Sequence, residues 1–168
     1  MRIAACNEWV DLSSDSDFVF LTGDLGFMAL EPLKQAIGTR FINAGVAEQN
    51  MMGLASGMAL EGYHVFVYSI GNFPTFRCAE QIRNDVDYHR LPVTIVNVGA
   101  GVSYGNLGYS HHSIQDYALV RLFPNMLIAA PGDQKEIKAC MQYIVKNPQP
   151  SYLRLAKSKN LILHDKIS

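Results

Sequence analysis

The chain has 168 residues, enough for one domain with a sizeable core and too few for two domains of ordinary size. Its 14 basic and 15 acidic residues give a net charge of -1, and no Lys/Arg-rich block is present, so nucleic acid is not an expected partner. Glu8 and Asp11 interrupt the first segment, which therefore lacks the apolar run of a signal peptide, and no later run is long enough to span a membrane. The cysteines are far apart and form no CxxC pair, which indicates reduced thiols. We expect a cytoplasmic protein with one domain over residues 1–168.

Six short β-rich runs recur along the chain, with helical segments between them. The runs are FVFLT (18–22), RFIN (40–43), HVFVYS (64–69), PVTIVNV (92–98), NMLIAA (125–130) and PSYLRL (150–155). Continuously apolar strands are typical of a parallel sheet that helices cover on both faces. The sequence therefore predicts an α/β fold, a three-layer α/β/α domain with a mostly parallel sheet of about six strands, whose core spans about 17–155.

Helix signals separate these strands. Pro32 and Gly38 bracket one short helix, and Asp133 with Glu136 forms a capping-box-like start to another. A third helix begins at Glu48 in the segment GVAEQN, directly before the uncharged stretch MMGLASGMAL. The helix dipole favours an acid in a first turn, which is one explanation for this carboxyl group. A functional role is the other.

One long segment breaks the alternation of strand and helix. GAGVSYGNLGYSHHSIQD (99–116) follows the strand that ends at Val98, and a further helix is expected from about Gln115. Ligands of open parallel sheets bind outside the carboxyl ends of the strands. The loop, the VAEQN helix start and YSIGNFPTFRCAEQIRND (68–85) follow successive strands, so all three should meet at one edge of the sheet.

Together and in this order, the three segments resemble the pyrimidine-binding domain of thiamine diphosphate enzymes of the transketolase group. The resemblance extends from about Asp17 to Leu155 and is most specific in FINAGVAEQNMMGLASGMALEG (41–62). It implies that Glu48 is catalytic and binds the cofactor, by a hydrogen bond to N1′ of the aminopyrimidine that promotes loss of the C2 proton from the thiazolium. Desolvation would keep this acid protonated, whereas the helix dipole favours its anion, and the sequence leaves both open.

The resemblance also implies an aromatic ring stacked on the pyrimidine. Tyr68, Phe73 and Phe76 are the candidates, with Phe73 our choice, although filling the core is the commoner role of such rings. Arg77 matches a basic position of some members and would face the substrate, unless it is an ordinary surface arginine.

His111 stands where the family has a histidine that contacts the sugar donor, so we assign it a catalytic role in proton transfer to substrate oxygens. The adjacent His112 is a weaker substrate candidate. A metal site is not expected here, because adjacent side chains rarely converge on one ion and no carboxylate or cysteine of the loop completes a ligand set. Leu107 replaces an acid that the family often has four residues before this histidine.

TGDLG (22–26) with Asn50 is a weak match to the diphosphate motif of thiamine enzymes, a Gly-Asp-Gly followed by Asn. Leu25 replaces the second glycine, and Asn50 belongs to the helix that starts at Glu48. We therefore place Asp24 near the cofactor or sugar entrance, as a substrate candidate. The diphosphate, with Mg2+ or Ca2+, is assigned to a diphosphate-binding partner domain or subunit in a homodimer or heterotetramer.

By resemblance, the chain is the pyrimidine-binding component of an enzyme that transfers a two-carbon ketol unit between sugar phosphates. The diphosphate-binding domain and the C-terminal domain of the family are expected to lie outside it. Alternatives are a component of a deoxyxylulose-phosphate synthase, the β-subunit of a 2-oxo-acid dehydrogenase, and a non-catalytic α/β binding or assembly module.

Overall fold

The computed structural model describes residues 1–157 and residue 163. All six predicted strands are confirmed, each within one or two residues of its run. They are Phe18–Thr22 (β1), Phe41–Asn43 (β2), His64–Ile70 (β3), Val93–Val98 (β4), Leu127–Ala129 (β5) and Ser151–Leu155 (β6).

The strands form one sheet in the order β2-β1-β3-β4-β6-β5, and every pair in it is parallel. The prediction of a mostly parallel sheet is thus confirmed. Because the strands share one direction, all of their carboxyl ends lie at the same edge, which we call the strand-end edge. In the register, Thr22 of β1 pairs with Asn43 of β2, and Val98 of β4 pairs with Leu155 of β6.

Helices surround the sheet. Within the described residues they are Arg2–Asp11 (α1), Glu31–Ile37 (α2), Glu48–Leu60 (α3), Ala79–Gln81 continuing as a π-helical segment Ile82–Asp87 (α4), Asp116–Val120 (α5) and Gln134–Lys146 (α6). The start of α6 is capped as the sequence predicts, since the backbone N–H of Glu136 donates to the Asp133 side chain at 2.8 Å. Helix α1 is not among the helices that the sequence predicts.

The alternation of side chains along the strands divides the core between the two faces of the sheet. Helices α1, α2 and α6 cover one face, where Trp9 packs against Phe20 of β1 with ring centroids 4.9 Å apart. Helices α3, α4 and α5 cover the other, where Met51 and Met52 lie among the buried aliphatic residues. The three-layer arrangement is confirmed, and α3 brings its first residue to the strand-end edge. Within residues 1–157, no helix is both long and apolar enough to cross a membrane.

Candidate cofactor and substrate site

Glu48 is the first residue of α3 and is almost completely buried, with 3% of its surface exposed. Buried carboxyl groups need polar partners. Nη1 of Arg77 supplies one, because it donates to Oε2 of Glu48 at 2.8 Å, while 47% of the Arg77 side chain remains exposed. Glu48 is therefore a core residue whose carboxyl group is paired with a partly exposed arginine.

Arg77 also touches an aromatic ring. The central carbon of its guanidinium lies 4.6 Å from the ring centroid of Phe73, a cation–π distance. One planar cation thus contacts both residues to which the sequence assigns the pyrimidine, Glu48 and Phe73. The sequence predicts that Arg77 faces the substrate, whereas in this structure its guanidinium contacts Glu48 and Phe73, the two predicted cofactor residues.

A cavity of about 420 Å3 opens beside Phe73, a volume ordinary for a small-molecule site. Phe76 lines it with 46% of its surface exposed, so both Phe73 and Phe76 are accessible to a ligand. The cavity is lined by Asn72, Phe73, Phe76, Arg77, Tyr109, Ser110 and Gln115. It joins the segment after β3 to the loop that carries the two histidines.

His111 lies beside Phe73. Its ring is 5.2 Å from that of Phe73 and 5.8 Å from that of Tyr104, both in edge-on arrangements. Its Nδ1 is 3.0 Å from the Ser110 hydroxyl. Gly71 fixes the backbone here, because a Cβ at its φ of +50° would come within 2.8 Å of the His111 carbonyl oxygen. Successive contacts thus bring Glu48, Arg77, Phe73 and His111 together.

His112 faces its own loop instead. Its Nε2 is 2.8 Å from the carbonyl oxygen of Gly105, so that nitrogen carries the proton and donates. A substrate that used the same nitrogen would have to break this bond. The two adjacent histidines therefore have different environments.

Tyr68 is a wrong choice as a cofactor contact. It is 1% exposed and packs edge-on against Trp9, 6.1 Å between ring centroids, on the face that α1 covers. Residues i and i+2 of a strand share a face, so Tyr68 lies with Phe66 and away from the α3 side. Burial raises the pKa of its phenol to about 12, which keeps it neutral.

Asp24 lies at the strand-end edge, after β1, with an unusual positive φ of 57°. Its carboxylate accepts from Nδ2 of Asn43 at 2.9 Å, and its N–H donates to the side-chain oxygen of Asn43 at 3.0 Å. Both of these hydrogen bonds point to β2, whereas the cavity lies between the segment after β3 and the histidine loop. Asp24 is therefore at the predicted edge but outside the chain of contacts that builds the site.

No group of three or more histidine, cysteine, aspartate or glutamate side chains within the described residues is arranged to hold a metal ion. Cys78, one residue after Arg77, is fully buried. Burial, helped by the negative charge of Glu48, raises its pKa to about 12. The thiol is therefore protonated at neutral pH and has no nucleophilic role here.

Sequence reasoning missed a buried polar cluster under the histidine loop. It consists of Asn97 on β4, Ser113 in the loop, Asp116 at the start of α5, and Tyr152 and Arg154 on β6. The one signal in the sequence is an arginine inside the otherwise apolar predicted strand PSYLRL, since a charge in a covered strand requires a partner.

A doubly covered parallel sheet, with a buried acid, accessible aromatic rings and a histidine at its strand-end edge, defines a ligand-binding α/β domain of an enzyme. The protein family described as "Transketolase, pyrimidine binding domain" matches residues 11–161, and the chain belongs to it. The predicted resemblance is confirmed.

Named relatives agree with this assignment. The chain is 35% identical over 145 residues to one of the subunits of an apulose-4-phosphate transketolase from Phocaeicola vulgatus, covering 86% of this chain and 46% of the relative. It is 41% identical over 126 residues to a putative transketolase C-terminal section of Methanocaldococcus jannaschii, covering 75% and 40%. The chain thus spans less than half the length of these curated relatives.

A solved structure described as a split gene transketolase, an inactive beta4 tetramer, superposes with a TM-score of 0.84 at 32% identity, covering 96% of this chain and 53% of the other. The transketolase of Campylobacter jejuni, at 20% identity and a TM-score of 0.83, shares the fold over 97% of this chain and 27% of its own.

Proposed function

We propose that this chain is the pyrimidine-binding component of a transketolase-like enzyme that uses thiamine diphosphate to transfer a two-carbon ketol unit between sugar phosphates. The observation that carries the proposal is the Glu48 carboxyl, buried at the strand-end edge and joined through one planar group to Phe73. When bound, the cofactor supplies the nucleophilic carbon that accepts the two-carbon unit. Membership of the pyrimidine-binding family and the transketolase names of the relatives support this assignment.

The contacts of Arg77 test whether the residues fit the pyrimidine. A guanidinium is flat and carries N–H donors, so it stands in here for an aminopyrimidine, which is also flat and polar at its rim. It occupies a place where a planar group can hydrogen-bond Glu48 and lie against Phe73 at once. Because the Arg77 side chain is half exposed, it can swing into solvent when a ligand takes that place.

The diphosphate half of the cofactor does not fit this chain. Asp24 is already engaged with Asn43, and Asn50 lies on the exposed side of α3 rather than in a metal-binding turn. Leu25 stands where a glycine would let the backbone approach phosphate. The diphosphate and its Mg2+ or Ca2+ are therefore assigned to a diphosphate-binding domain or subunit, in a homodimer or heterotetramer.

Each remaining residue has a defined role in the proposal. Glu48 holds a proton at the pyrimidine N1′, and Phe73, with Phe76 at the cavity rim, excludes water from the ring face. His111 exchanges a proton with substrate oxygens, a task suited to an imidazole because its ring nitrogens can both donate and accept a hydrogen bond. His112 and Asp24 are assigned only peripheral roles toward the substrate, because Gly105 and Asn43 already engage their polar atoms.

Reconstitution tests the function. The chain is mixed with a candidate diphosphate-binding subunit, thiamine diphosphate and Mg2+, and ketol transfer between sugar phosphates is measured. Turnover should require both proteins and the cofactor. A mixture that forms a complex and is stabilised by the cofactor, but transfers no ketol unit, would instead favour another thiamine-dependent reaction. Absence of any cofactor-dependent stabilisation of the complex would favour the non-catalytic module.

A further inference from the structure

The buried polar cluster lies directly under the loop that carries His111. Asn97, Ser113, Asp116 and Tyr152 are each 0% exposed, although all are polar or charged apart from the tyrosine ring. They come from β4, the loop, α5 and β6, so the cluster joins the sheet to the loop. Its centre is the carboxylate of Asp116.

Arg154 connects that carboxylate to the loop backbone. Its Nε donates to Oδ2 of Asp116 at 2.7 Å, and its Nη2 donates to the carbonyl oxygen of Ser113 at 2.7 Å. The Tyr152 hydroxyl donates to the same Oδ2 at 2.6 Å, and the guanidinium carbon lies 4.4 Å from the ring centroid of Tyr117. The Asp116 carboxylate, the Ser113 carbonyl and the Tyr117 ring thus hold the guanidinium, and the Tyr152 hydroxyl holds the carboxylate.

Ser113 links the two ends of the loop to each other and to the sheet. Its N–H and carbonyl both bond to the backbone of Gly101 at 2.9 Å, and its hydroxyl accepts from Nδ2 of Asn97 at 2.8 Å. His111 is only two residues before Ser113. The position of the imidazole therefore depends on where Arg154 holds the Ser113 carbonyl.

We propose that Asp116 and Arg154 are positioning residues for His111: their buried ion pair sets the loop so that the imidazole stands beside Phe73. Stability alone does not account for the pair, because well-packed apolar residues often serve a core as well as a buried ion pair does. The Arg154 guanidinium donates to both the Asp116 carboxylate and the Ser113 carbonyl, and so fixes their relative position, which apolar residues cannot do. For its effect on turnover, this inference rests on the proposed function.

Two variants separate position from charge. Arg154→Lys keeps the positive charge but loses the planar guanidinium with its fixed N–H donors. The lysine ammonium therefore cannot hold Asp116 and the Ser113 carbonyl in the same geometry. Asp116→Asn keeps the shape but loses the charge. The matched control is Asp87→Asn, another buried carboxylate, which accepts from the backbone N–H of Asn125 at 3.0 Å near the opposite edge of the sheet.

The test is a histidine side-chain NMR spectrum of each variant of this chain, with the His111 signals assigned from His111→Gln. Arg154→Lys and Asp116→Asn should shift the imidazole resonances of His111 and leave those of His64 in place, whereas Asp87→Asn should leave His111 in place. Unshifted His111 signals in both folded cluster variants would overturn the proposal. So would global unfolding of both, which would make the cluster purely structural.

Activity of the reconstituted enzyme then separates this inference from the proposed function. Displacement of His111 should lower kcat/KM for the sugar donor by about tenfold or more, with the affinity for thiamine diphosphate within about twofold of the parent. Shifted His111 signals with unchanged turnover would uphold the positioning role and contradict the role of His111 in ketol transfer.

Discussion

Glu48 and His111 reach the same edge of the sheet by different means. Glu48 is placed by one local event, the start of α3 after the short β2–α3 connection. His111 is placed by contacts from Gly71, Phe73 and, through Ser113, from β4 and β6. A locally placed residue tolerates changes elsewhere in the molecule, whereas a residue placed by distant contacts is sensitive to each of them.

The largest effect is expected at the locally placed residue. Glu48→Gln should fold normally and lower turnover of the reconstituted enzyme by about 100-fold or more, because the amide cannot exchange a proton with the pyrimidine. Steady-state kinetics with saturating cofactor measures it. The control is Glu61→Gln, an exposed carboxylate just beyond the other end of α3. Near-parental turnover of Glu48→Gln would remove Glu48 from the mechanism.

The next largest effect is expected at His111, with a smaller one at His112. His111→Ala should reduce kcat/KM for the sugar by about 10–100-fold, with little change in cofactor affinity, because its ring lies beside the cavity. His112→Ala should do less, since its Nε2 is bonded to the Gly105 carbonyl. Kinetics and calorimetry on the two variants give the comparison. Equal losses of cofactor affinity would mean that the loop does not lie on the substrate side.

Gly71→Ala tests the contact between the segment after β3 and the backbone of His111. The new methyl group would meet the His111 carbonyl at 2.8 Å in a left-handed backbone conformation. We expect a loss of about 2–4 kcal/mol in the free energy of unfolding, from strain plus overpacking. Gly62→Ala is the control, because its φ is also positive, +99°, and nothing lies within 4 Å of its Cβ. Urea titration should give Gly62→Ala only the strain, about 1–2 kcal/mol. Equal losses would show that the contact with the loop is unimportant.

The stability of the folded chain should depend on pH through His64, at the start of β3 and thus at the edge opposite the site. Burial lowers the pKa of His64 to about 4 from its ordinary 6.5. Between these two pH values the unfolded chain therefore binds more protons than the folded chain. The contribution of neutral His64 to the free energy of unfolding is fully present above pH 6.5 and is lost as the pH drops toward 4. About 1–2 kcal/mol should be lost after allowance for the partial exposure of the ring. Urea titrations from about pH 7 to pH 4 measure this, and His64→Gln should flatten the profile. An unchanged slope in that variant would assign the effect to another group.

The strands and the Glu48 helix start could be predicted because their signals are local. Buried parallel strands read as apolar runs, and an acid before an uncharged helix is visible within a few residues. Tyr68 could not be placed in the same way. A strand covered on both faces offers no polar side, so the sequence of HVFVYS does not say which residues face α1 and which face α3.

The residues that place His111 could not be found locally. Asp116 and Arg154 are 38 positions apart, and their pairing depends on β6 lying next to β4 in the sheet. Strand order is a property of the whole fold. Likewise, Arg77 looks like a surface residue of a helical segment until Glu48, 29 positions earlier, is seen beside it.

The central claim is that this chain holds the pyrimidine half of a shared cofactor site. Isothermal calorimetry with thiamine diphosphate and Mg2+ tests it most directly, on the chain alone and on the chain mixed with a diphosphate-binding subunit. One hydrogen bond and one stacked ring contribute about 2–3 kcal/mol, which the entropy of association can cancel. We therefore predict weak binding by the chain alone, and tight binding by the mixture that Glu48→Gln diminishes. Micromolar binding by the chain alone would contradict the account.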